Sequence, residues 1–251
     1  MSDAAKPDLA AGGTYAGLDL SGFEWAERDL EGLALSDCVC LDAQLSSVLL
    51  QGARFVNCRF VRCRFAHADL REAVFERCSF ADADSHSGAA FAFSQLDQAR
   101  FADCDLSFAD IDRSSLYDAA FERCNLRGAR FFRADFARAF GPKVVRWAAR
   151  FAACNLELAD LSEARLPGCE LTGCSFREAD LTGADFEGAD LREADLFQAL
   201  TAGAKLARAD LRGAELSGVE LPALASFAGL KITAGQQSVV LAGMGVDVEP
   251  D

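Results

Sequence analysis

Ten cysteines and two histidines are the side chains of this sequence best suited to binding a metal or forming disulfides. Zinc sites usually combine cysteine pairs spaced as C-x-x-C with closely spaced histidines. The sequence contains no C-x-x-C, and its histidines, His67 and His86, do not complete a ligand set. We therefore predict that the chain binds no metal.

Aspartates form the second candidate set, because paired carboxylates can act as general acid and base. They recur directly before a large apolar residue at Asp160, Asp180, Asp185, Asp190, Asp195 and Asp210. Such regular repetition favours a solvated acidic surface over a catalytic pair. The sequence also has no Gly-rich phosphate loop and no Ser/His/Asp arrangement. We predict that the protein is not an enzyme and takes no cofactor.

The elements that position these residues repeat with a period of five. The segment FREADLTGADFEGADLREADL, Phe176–Leu196, has Leu or Phe at every fifth residue, here called position i, with Ala at i−2. From Leu45 to Leu221, 32 such positions hold only Leu, Phe or Ile. A helix repeats its apolar face at about 3.6 residues and a strand at about 2, so neither explains the pattern. A short repeat sustained over this length predicts a solenoid.

Each five-residue unit can be divided into an inward part and a corner. Residues i and i−2 point to the same side of an extended segment, so both should face inward. The chain must then turn within i+1 and i+2, where Gly is frequent, as at Gly183 and Gly213. Nine of the ten cysteines occupy i−2, the exception being Cys40. This position favours small apolar core residues over metal ligands, so we expect free thiols.

Two breaks interrupt the period, at 82–90 and at 140–150. In the first, eleven residues instead of ten separate Phe80 from Phe91, which predicts a short outward loop. In the second the phase survives, but two pentapeptides are replaced by a projecting segment. The candidate contact residues are Asp84, Ser85, His86, Ser87 and Gly88 in the first loop and Gly141, Pro142, Lys143, Arg146 and Trp147 in the second. These loops form a contact surface in one interpretation and are tolerated insertions in the other.

The repeat stops after Leu221, and the remaining residues have helical spacing. Thr233 is a candidate N-cap, the helix carries Val239, Val240 and Met244, and Val246–Val248 can form a short strand. Such a module can cover the open end of a solenoid, or a twofold partner can do so. We divide the chain into an N-terminal tail (1–17), the repeat (18–221) and a capping or dimerisation module (222–251).

The formal charge of −14 disfavours nucleic acid as a direct ligand and suits a partner with a basic surface. This charge is uneven, with −6 in residues 1–90, +2 in residues 91–150 and −8 in residues 151–221. The sequence has neither an apolar stretch of about 20 residues nor a secretory leader. We therefore expect a cytoplasmic protein that does not insert into a membrane.

The run of A-(D/N)-L-x-x units over about 18–221 resembles the pentapeptide-repeat proteins. The two breaks, together with the tail L-K-x(4)-Q that begins at Leu230, are similar to the Qnr group and more distantly to MfpA and AlbG. The resemblance implies an all-β, right-handed quadrilateral β-helix with 20 residues per coil, two projecting loops and a short C-terminal helix. It also implies a homodimer joined through the tail, with Val239, Val240, Met244 and Val246 at the contact.

A coil of 20 residues assigns the inward residues to columns. It places Leu70, Phe91, Ile111, Phe131, Phe151, Leu171, Leu191 and Leu211 in one column and Cys38, Cys58 and Cys78 in another. The same count places the two loops on one side of the rod, about three coils or roughly 14 Å apart.

The resemblance implies a partner as well. Members of the Qnr group bind DNA gyrase, and often topoisomerase IV, and protect these enzymes from quinolones or natural topoisomerase poisons. The acidic rod would then mimic duplex DNA, and the loops would touch the type II topoisomerase. The alternative is a pentapeptide-repeat scaffold for another cytoplasmic protein, with the loops incidental.

Overall fold

The computed structural model describes residues 8–82 and 84–248, and residues 1–7 of the predicted tail lie outside them. The chain forms a solenoid with four pentapeptides per coil. Strand partners outside the breaks are 20 residues apart, as in Phe55 opposite Phe75. Within the two described ranges, no helix is long and apolar enough to cross a membrane.

The strands are short, since each crosses only one side of a coil. In chain order they are β1 (Thr14–Ala16), β2 (Ala34–Ser36), β3 (Val39–Leu41), β4 (Arg54–Val56), β5 (Arg59–Val61), β6 (Val74–Glu76), β7 (Ala81–Asp82), β8 (Ser87–Gly88), β9 (Arg100–Ala102), β10 (Ala119–Glu122), β11 (Ala137–Ala139), β12 (Val145–Trp147) and β13 (Ala149–Ala152). A parallel sheet has the order β1-β2-β4-β6-β9-β10-β13, and β3 pairs with β5. The pairs β7–β8 and β11–β12 are antiparallel hairpins outside this ladder.

We number the four walls of a coil in chain order. Phe80 lies in wall 1, Phe91 in wall 2, Leu96 in wall 3 and Phe101 in wall 4 of the same coil. Position i of each wall is buried. At Thr201 this position holds a buried threonine in place of the usual Leu or Phe. The walls therefore enclose one continuous apolar core.

Phenyl rings of wall 4 form a stack along the axis of the solenoid. The rings of Phe55, Phe75, Phe101, Phe121 and Phe151 lie nearly parallel, with successive centroids 4.8, 4.7, 5.0 and 4.8 Å apart. This spacing matches the usual distance of about 4.8 Å between neighbouring strands. The ladder of backbone hydrogen bonds therefore sets the ring separation, and burial of each ring contributes about 1.5–3 kcal/mol.

The predicted column that joins Leu70 to Phe91 and Phe131 to Phe151 is wrong at both breaks. Phe91 stacks on Phe65, with ring centroids 4.8 Å apart, and Phe151 stacks on Phe121. The partner offset is 26 residues across the first break, as for Arg64 and Ala90, and 30 across the second. Six and ten residues are therefore inserted outside the walls, and a count in steps of twenty fails across each insertion.

The cysteine column is confirmed and is longer than predicted. Seven thiols stack at i−2 of wall 1: Cys38, Cys58, Cys78, Cys104, Cys124, Cys154 and Cys174. From Cys58 onward each donates to a backbone carbonyl of wall 4, as Cys154 Sγ does to Phe121 O at 3.3 Å. All ten cysteines are free and buried, and burial raises the pKa of Cys169 to about 12. The thiols therefore serve as neutral core side chains.

Corners explain why Gly and Asp recur in the repeat. Position i+2 has a positive φ at nearly every corner, 68° at Gly183 and 58° at Glu163. Glycine adopts this conformation without the steric cost of a Cβ atom. Aspartate at i−1 accepts a hydrogen bond from the backbone N–H of i+1, as Asp180 does from Thr182 at 2.9 Å. The aspartates thus stabilise the turns.

The ladder extends beyond the predicted repeat at both ends. Strand β1 pairs with β2, and Leu9 is buried, so the first coil begins before residue 18. At the other end Asp210 bridges to Lys231, an offset of 21 residues. A 3-10 turn at Leu221–Ala223 accommodates the extra residue. Because this residue shifts the phase by one, the period of five did not predict the last coil.

A short helical module closes the C-terminal end. It consists of a 3-10 turn, Ala234–Gln236, and helix α1, Gln237–Gly243, with Thr233 as the N-cap. Gln236 is buried and donates to Leu211 O at 2.8 Å and to Ala214 O at 2.7 Å. A Cβ at Gly243 would lie 2.4 Å from Val219 O, so only glycine allows this approach. The expected strand at Val246–Val248 is not formed.

Replacement of Gln236 by Leu should destabilise the protein. The change removes the donors to two carbonyls and the acceptor for the N–H of Thr233, and each buried group left unpaired costs about 1–3 kcal/mol. Urea denaturation should give a free energy of unfolding about 2–4 kcal/mol lower. The exposed neighbour provides the control, since Gln237→Leu should change it by less than about 0.5 kcal/mol. Equal effects of the two substitutions would show that Gln236 does not close the end.

Candidate protein-interaction site

Hairpin 1, residues 81–88, contains the first group of predicted contact residues. Strands β7 and β8 pair Asp82 with Ser87, and Asp84, Ser85 and His86 form an exposed turn. Ser87 and Gly88 belong to the paired strand, so they support the turn. A Cβ at Gly88 would lie 2.4 Å from backbone atoms of the next coil. The hairpin therefore lies tightly against the solenoid.

A charged network fixes the conformation of hairpin 1. Arg62 donates to both oxygens of Asp42, at 2.6 and 2.8 Å, and to Asp82 Oδ2 at 2.9 Å. Asp82 also accepts from Ser85 Oγ at 2.8 Å and from the N–H of Asp84 at 3.2 Å. The Arg62 guanidinium, with Ser85, holds the pKa of Asp82 below its usual value. Three consecutive coils are thus connected to the tip of the hairpin.

Hairpin 2, residues 137–147, contains the second group. Strands β11 and β12 form its sides, and Gly141, Pro142 and Lys143 form its exposed tip, with φ at Gly141 of 137°. The prediction that it replaces two pentapeptides is wrong, because Phe121 pairs with Phe151 and wall 4 of this coil is complete. The hairpin is an added ten-residue insertion.

The prediction that both loops leave the same side is also wrong. Hairpin 1 leaves between walls 1 and 2, after Phe80, and hairpin 2 leaves between walls 3 and 4, after Phe136. These corners are diagonally opposite. Along the axis the hairpins are about two and a half coils, or roughly 12 Å, apart. This prediction failed because the six and ten inserted residues were counted as parts of the walls.

Hairpin 2 exposes apolar and cationic side chains together. Phe140, Val144 and Val145 are 53, 46 and 47 % exposed. Arg146 lies over the Phe140 ring, while the half-buried Trp147 lies under the guanidinium of Arg165 at 5.0 Å. The list of candidate contact residues left out Phe140, Val144 and Val145, although all three lie within the predicted break at 140–150 and in a stretch from 136 to 156 that contains no acidic residue.

The predicted acidic residues are less free than expected. Asp185 is only 9 % exposed, the other five are half-buried, and all six accept a backbone N–H in their own corners. Four of them form ion pairs: Asp185 with Lys205, Asp190 with Arg192, Asp195 with Arg177 and Asp210 with Arg212. Arg212 lowers the pKa of Asp210 to about 2. The missed glutamates Glu163, Glu178 and Glu193 are exposed at i+2, where the corner points side chains outward.

The predicted dimer residues divide into two groups. Val239 and Val240 are half-buried and pack against the end of their own core. Met244 and Val246 are each 45 % exposed, and Leu241, which the prediction missed, is 37 % exposed beside them. Only this second group is available for a partner.

Replacement of Arg62 by Gln should loosen hairpin 1. The substitution removes the charged donor to Asp82, so protection of the Asp84 amide from hydrogen exchange should fall several-fold. Because the pKa of Asp82 is lowered in the folded state, its contribution is complete above about pH 4 and is lost as the pH falls further. Acid should therefore reproduce the effect in the unaltered protein. Arg64→Gln, at an exposed arginine with no ion pair among the described residues, is the control. Unchanged protection in Arg62→Gln would contradict the role of the network.

Comparisons with known proteins agree with this architecture. The family model "Pentapeptide repeats" matches eight copies, at residues 58–84, 114–140, 154–192 and 189–222. No curated protein sequence matches the chain.

Two trypsin-treated variants of QnrB1, described as a plasmid-mediated fluoroquinolone resistance protein, are 28 and 27 % identical, with TM-scores of 0.77 and 0.75. They cover 84 and 86 % of this chain and 99 and 100 % of theirs. Full-length QnrB1 is 26 % identical, with a TM-score of 0.64, over 83 % of this chain and all of its own. The chain is therefore a pentapeptide-repeat protein, and its fold is similar to that of QnrB1.

Proposed function

We propose that this protein binds DNA gyrase, and topoisomerase IV where present, and protects the enzyme from quinolones or natural topoisomerase poisons. It catalyses no reaction of its own and acts in the cytoplasm. The observation that carries the proposal is the likeness to QnrB1, a fluoroquinolone resistance protein, over 99 % of that chain at a TM-score of 0.77. The two insertions at corners of a rigid solenoid give the protein specific contact points.

Charge supports a basic partner surface. Residues 151–221 carry a net charge of −8, and the exposed glutamates Glu163, Glu178 and Glu193 project from three different corners. A groove that holds duplex DNA is basic, so it is complementary to this part of the rod. The rod therefore occupies the DNA-binding surface, with glutamates rather than the repeated aspartates as the main external charges.

The hairpins give the contact a defined geometry. Because they leave diagonally opposite corners, they reach two different surfaces when the rod lies in a groove. Hairpin 1 offers a polar turn, and hairpin 2 offers exposed apolar and cationic side chains. We infer that the hairpins contact protein on either side of the groove and favour drug release or religation of DNA.

A twofold homodimer fits the C-terminal end. Leu241, Met244 and Val246 leave apolar surface exposed next to the last coil. Burial of this surface against a second copy would extend the rod across a twofold axis.

The second candidate function is a scaffold for another protein. The ion pairs of Asp185, Asp190, Asp195 and Asp210 favour it, since they neutralise part of the acidic ladder internally. In this case the protein would bind a partner without affecting gyrase.

Removal of either hairpin should weaken protection strongly without unfolding the solenoid. Deletion of residues 83–88 joins Asp82 to Ala89, and deletion of 139–148 joins Arg138 to Ala149. Each deletion restores uninterrupted pentapeptides and the 20-residue offset. In a gyrase supercoiling assay with a fluoroquinolone, each variant should need at least about tenfold more protein for half-maximal protection.

Circular dichroism and thermal unfolding of both deletion variants provide the folding control. Equal protection by the folded variants and the unaltered protein would contradict the role of the hairpins. If the unaltered protein fails to restore supercoiling at any concentration, the gyrase proposal is wrong and the scaffold function is favoured.

Met244→Arg should produce monomers. A charge placed in the exposed apolar group opposes its burial against a second copy. Light scattering should show the mass of one chain at concentrations where the unaltered protein has twice that mass. Leu158→Arg, at a corner residue that is also 45 % exposed, should leave the dimer intact. A persistent Met244→Arg dimer would exclude this contact.

A further inference from the structure

Five arginines around hairpin 2 differ from most others in the chain. Most of the other arginines pair with carboxylates, as Arg123 does with Asp103 at 2.7 Å. Around hairpin 2 they lie over aromatic rings and make no ion pair within residues 8–82 and 84–248. These five, which we call the arginine surface, are Arg113, Arg133, Arg138, Arg146 and Arg165.

The arginine surface is continuous. Arg113 and Arg133 occupy equivalent corners of successive coils, because Asp110 and Arg130 pair in the ladder. Arg133 and Arg165 line one cleft beside hairpin 2, together with Trp147. Asp135 and Glu163 line the same cleft, and Asp135 accepts the N–H of Ala137. The guanidinium groups therefore remain available on this side of the rod.

The two arginines of hairpin 2 lie directly opposite each other. Strands β11 and β12 pair Arg138 with Arg146, and like charges in such a pair are destabilising. Both guanidinium carbons lie over the Phe140 ring, 5.9 and 5.6 Å from its centroid. Arg138 also lies 5.7 Å from the centroid of Tyr117. The rings hold the two groups together, and an anion between them would remove the repulsion.

Stacked guanidinium groups are well suited to one kind of anion. The ring contacts use the planar face, which leaves the N–H donors at the edge for a bidentate carboxylate or phosphate. Residues 136–156 contain four basic and no acidic residues, in a chain whose charge is −14. The surface is therefore a local cationic area on an anionic rod.

We propose that the arginine surface binds carboxylates on an acidic patch of a partner protein. Protein is favoured over nucleic acid for two reasons. The guanidinium groups already cover faces of the aromatic rings on which bases would stack. A long polyanion would also extend over the acidic walls within a Debye length of about 10 Å, whereas a local acidic patch would not. The inference concerns partner chemistry and does not depend on gyrase being that partner.

The test uses the full chain with ¹⁵N-labelled arginine and follows the Nε–Hε signals by NMR. The probes are a capped hexaglutamate peptide and a short DNA duplex, each at the same ionic strength. The peptide should shift the Arg138 and Arg146 signals saturably and at lower concentration than the duplex. In the double variant Arg138→Gln, Arg146→Gln, binding of the peptide should weaken about tenfold.

The matched control is Arg59→Gln with Arg100→Gln, which removes two arginines that make no ion pair in the described chain and lie on other walls. Its peptide affinity should be unchanged. The proposal is overturned if the peptide gives no saturable shift at millimolar concentration, if the control pair matters as much, or if the duplex binds more tightly. Failure of gyrase protection would leave this result unaffected.

Discussion

Every inward side chain of the solenoid lies over its equivalent one coil away, at the separation set by the backbone ladder. The phenyl stack from Phe55 to Phe151 and the thiol column beside it both follow from this spacing. A residue added within a wall would shift all later inward residues out of register. Insertions are therefore tolerated only where the chain already turns, and both hairpins occur at corners. The same constraint forces each insertion to return the chain to its original phase.

The corners also determine how charge is distributed. Aspartate at i−1 stabilises the turn, so an acidic ladder arises from the fold before any partner is considered. Arginines then neutralise part of it, as Arg212 does for Asp210. Charge that is free to act on a partner must come from positions without a structural task. In this chain these are the glutamates at i+2 and the arginines that lie on rings around hairpin 2.

Much of the fold could be predicted from the sequence because the period of five records which residues face inward. The column of Cys38, Cys58 and Cys78 follows from the same pattern. The repeat pattern, however, reveals an insertion only when the number of added residues is not a multiple of five. It does not reveal that Gly141 and Arg146 lie in an added hairpin, since ten extra residues preserve the phase. The eleven residues from Phe80 to Phe91 are similarly ambiguous, because five belong to the wall and six to hairpin 1. The site was less predictable, because the pairing of Arg138 with Arg146 depends on strands that the repeat does not encode.

The two hairpins lie on one rigid ladder whose unit is the 20-residue coil, so their axial distance can change only in fixed steps. Duplication of one 20-residue coil between Phe91 and Phe136 would move them apart by about 4.8 Å and leave both corners intact. Deletion of one coil would bring them closer by the same amount. Unequal recombination that adds or removes the segment encoding one coil can therefore fit the hairpin spacing to a larger or smaller partner protein. Neither hairpin tip needs to change.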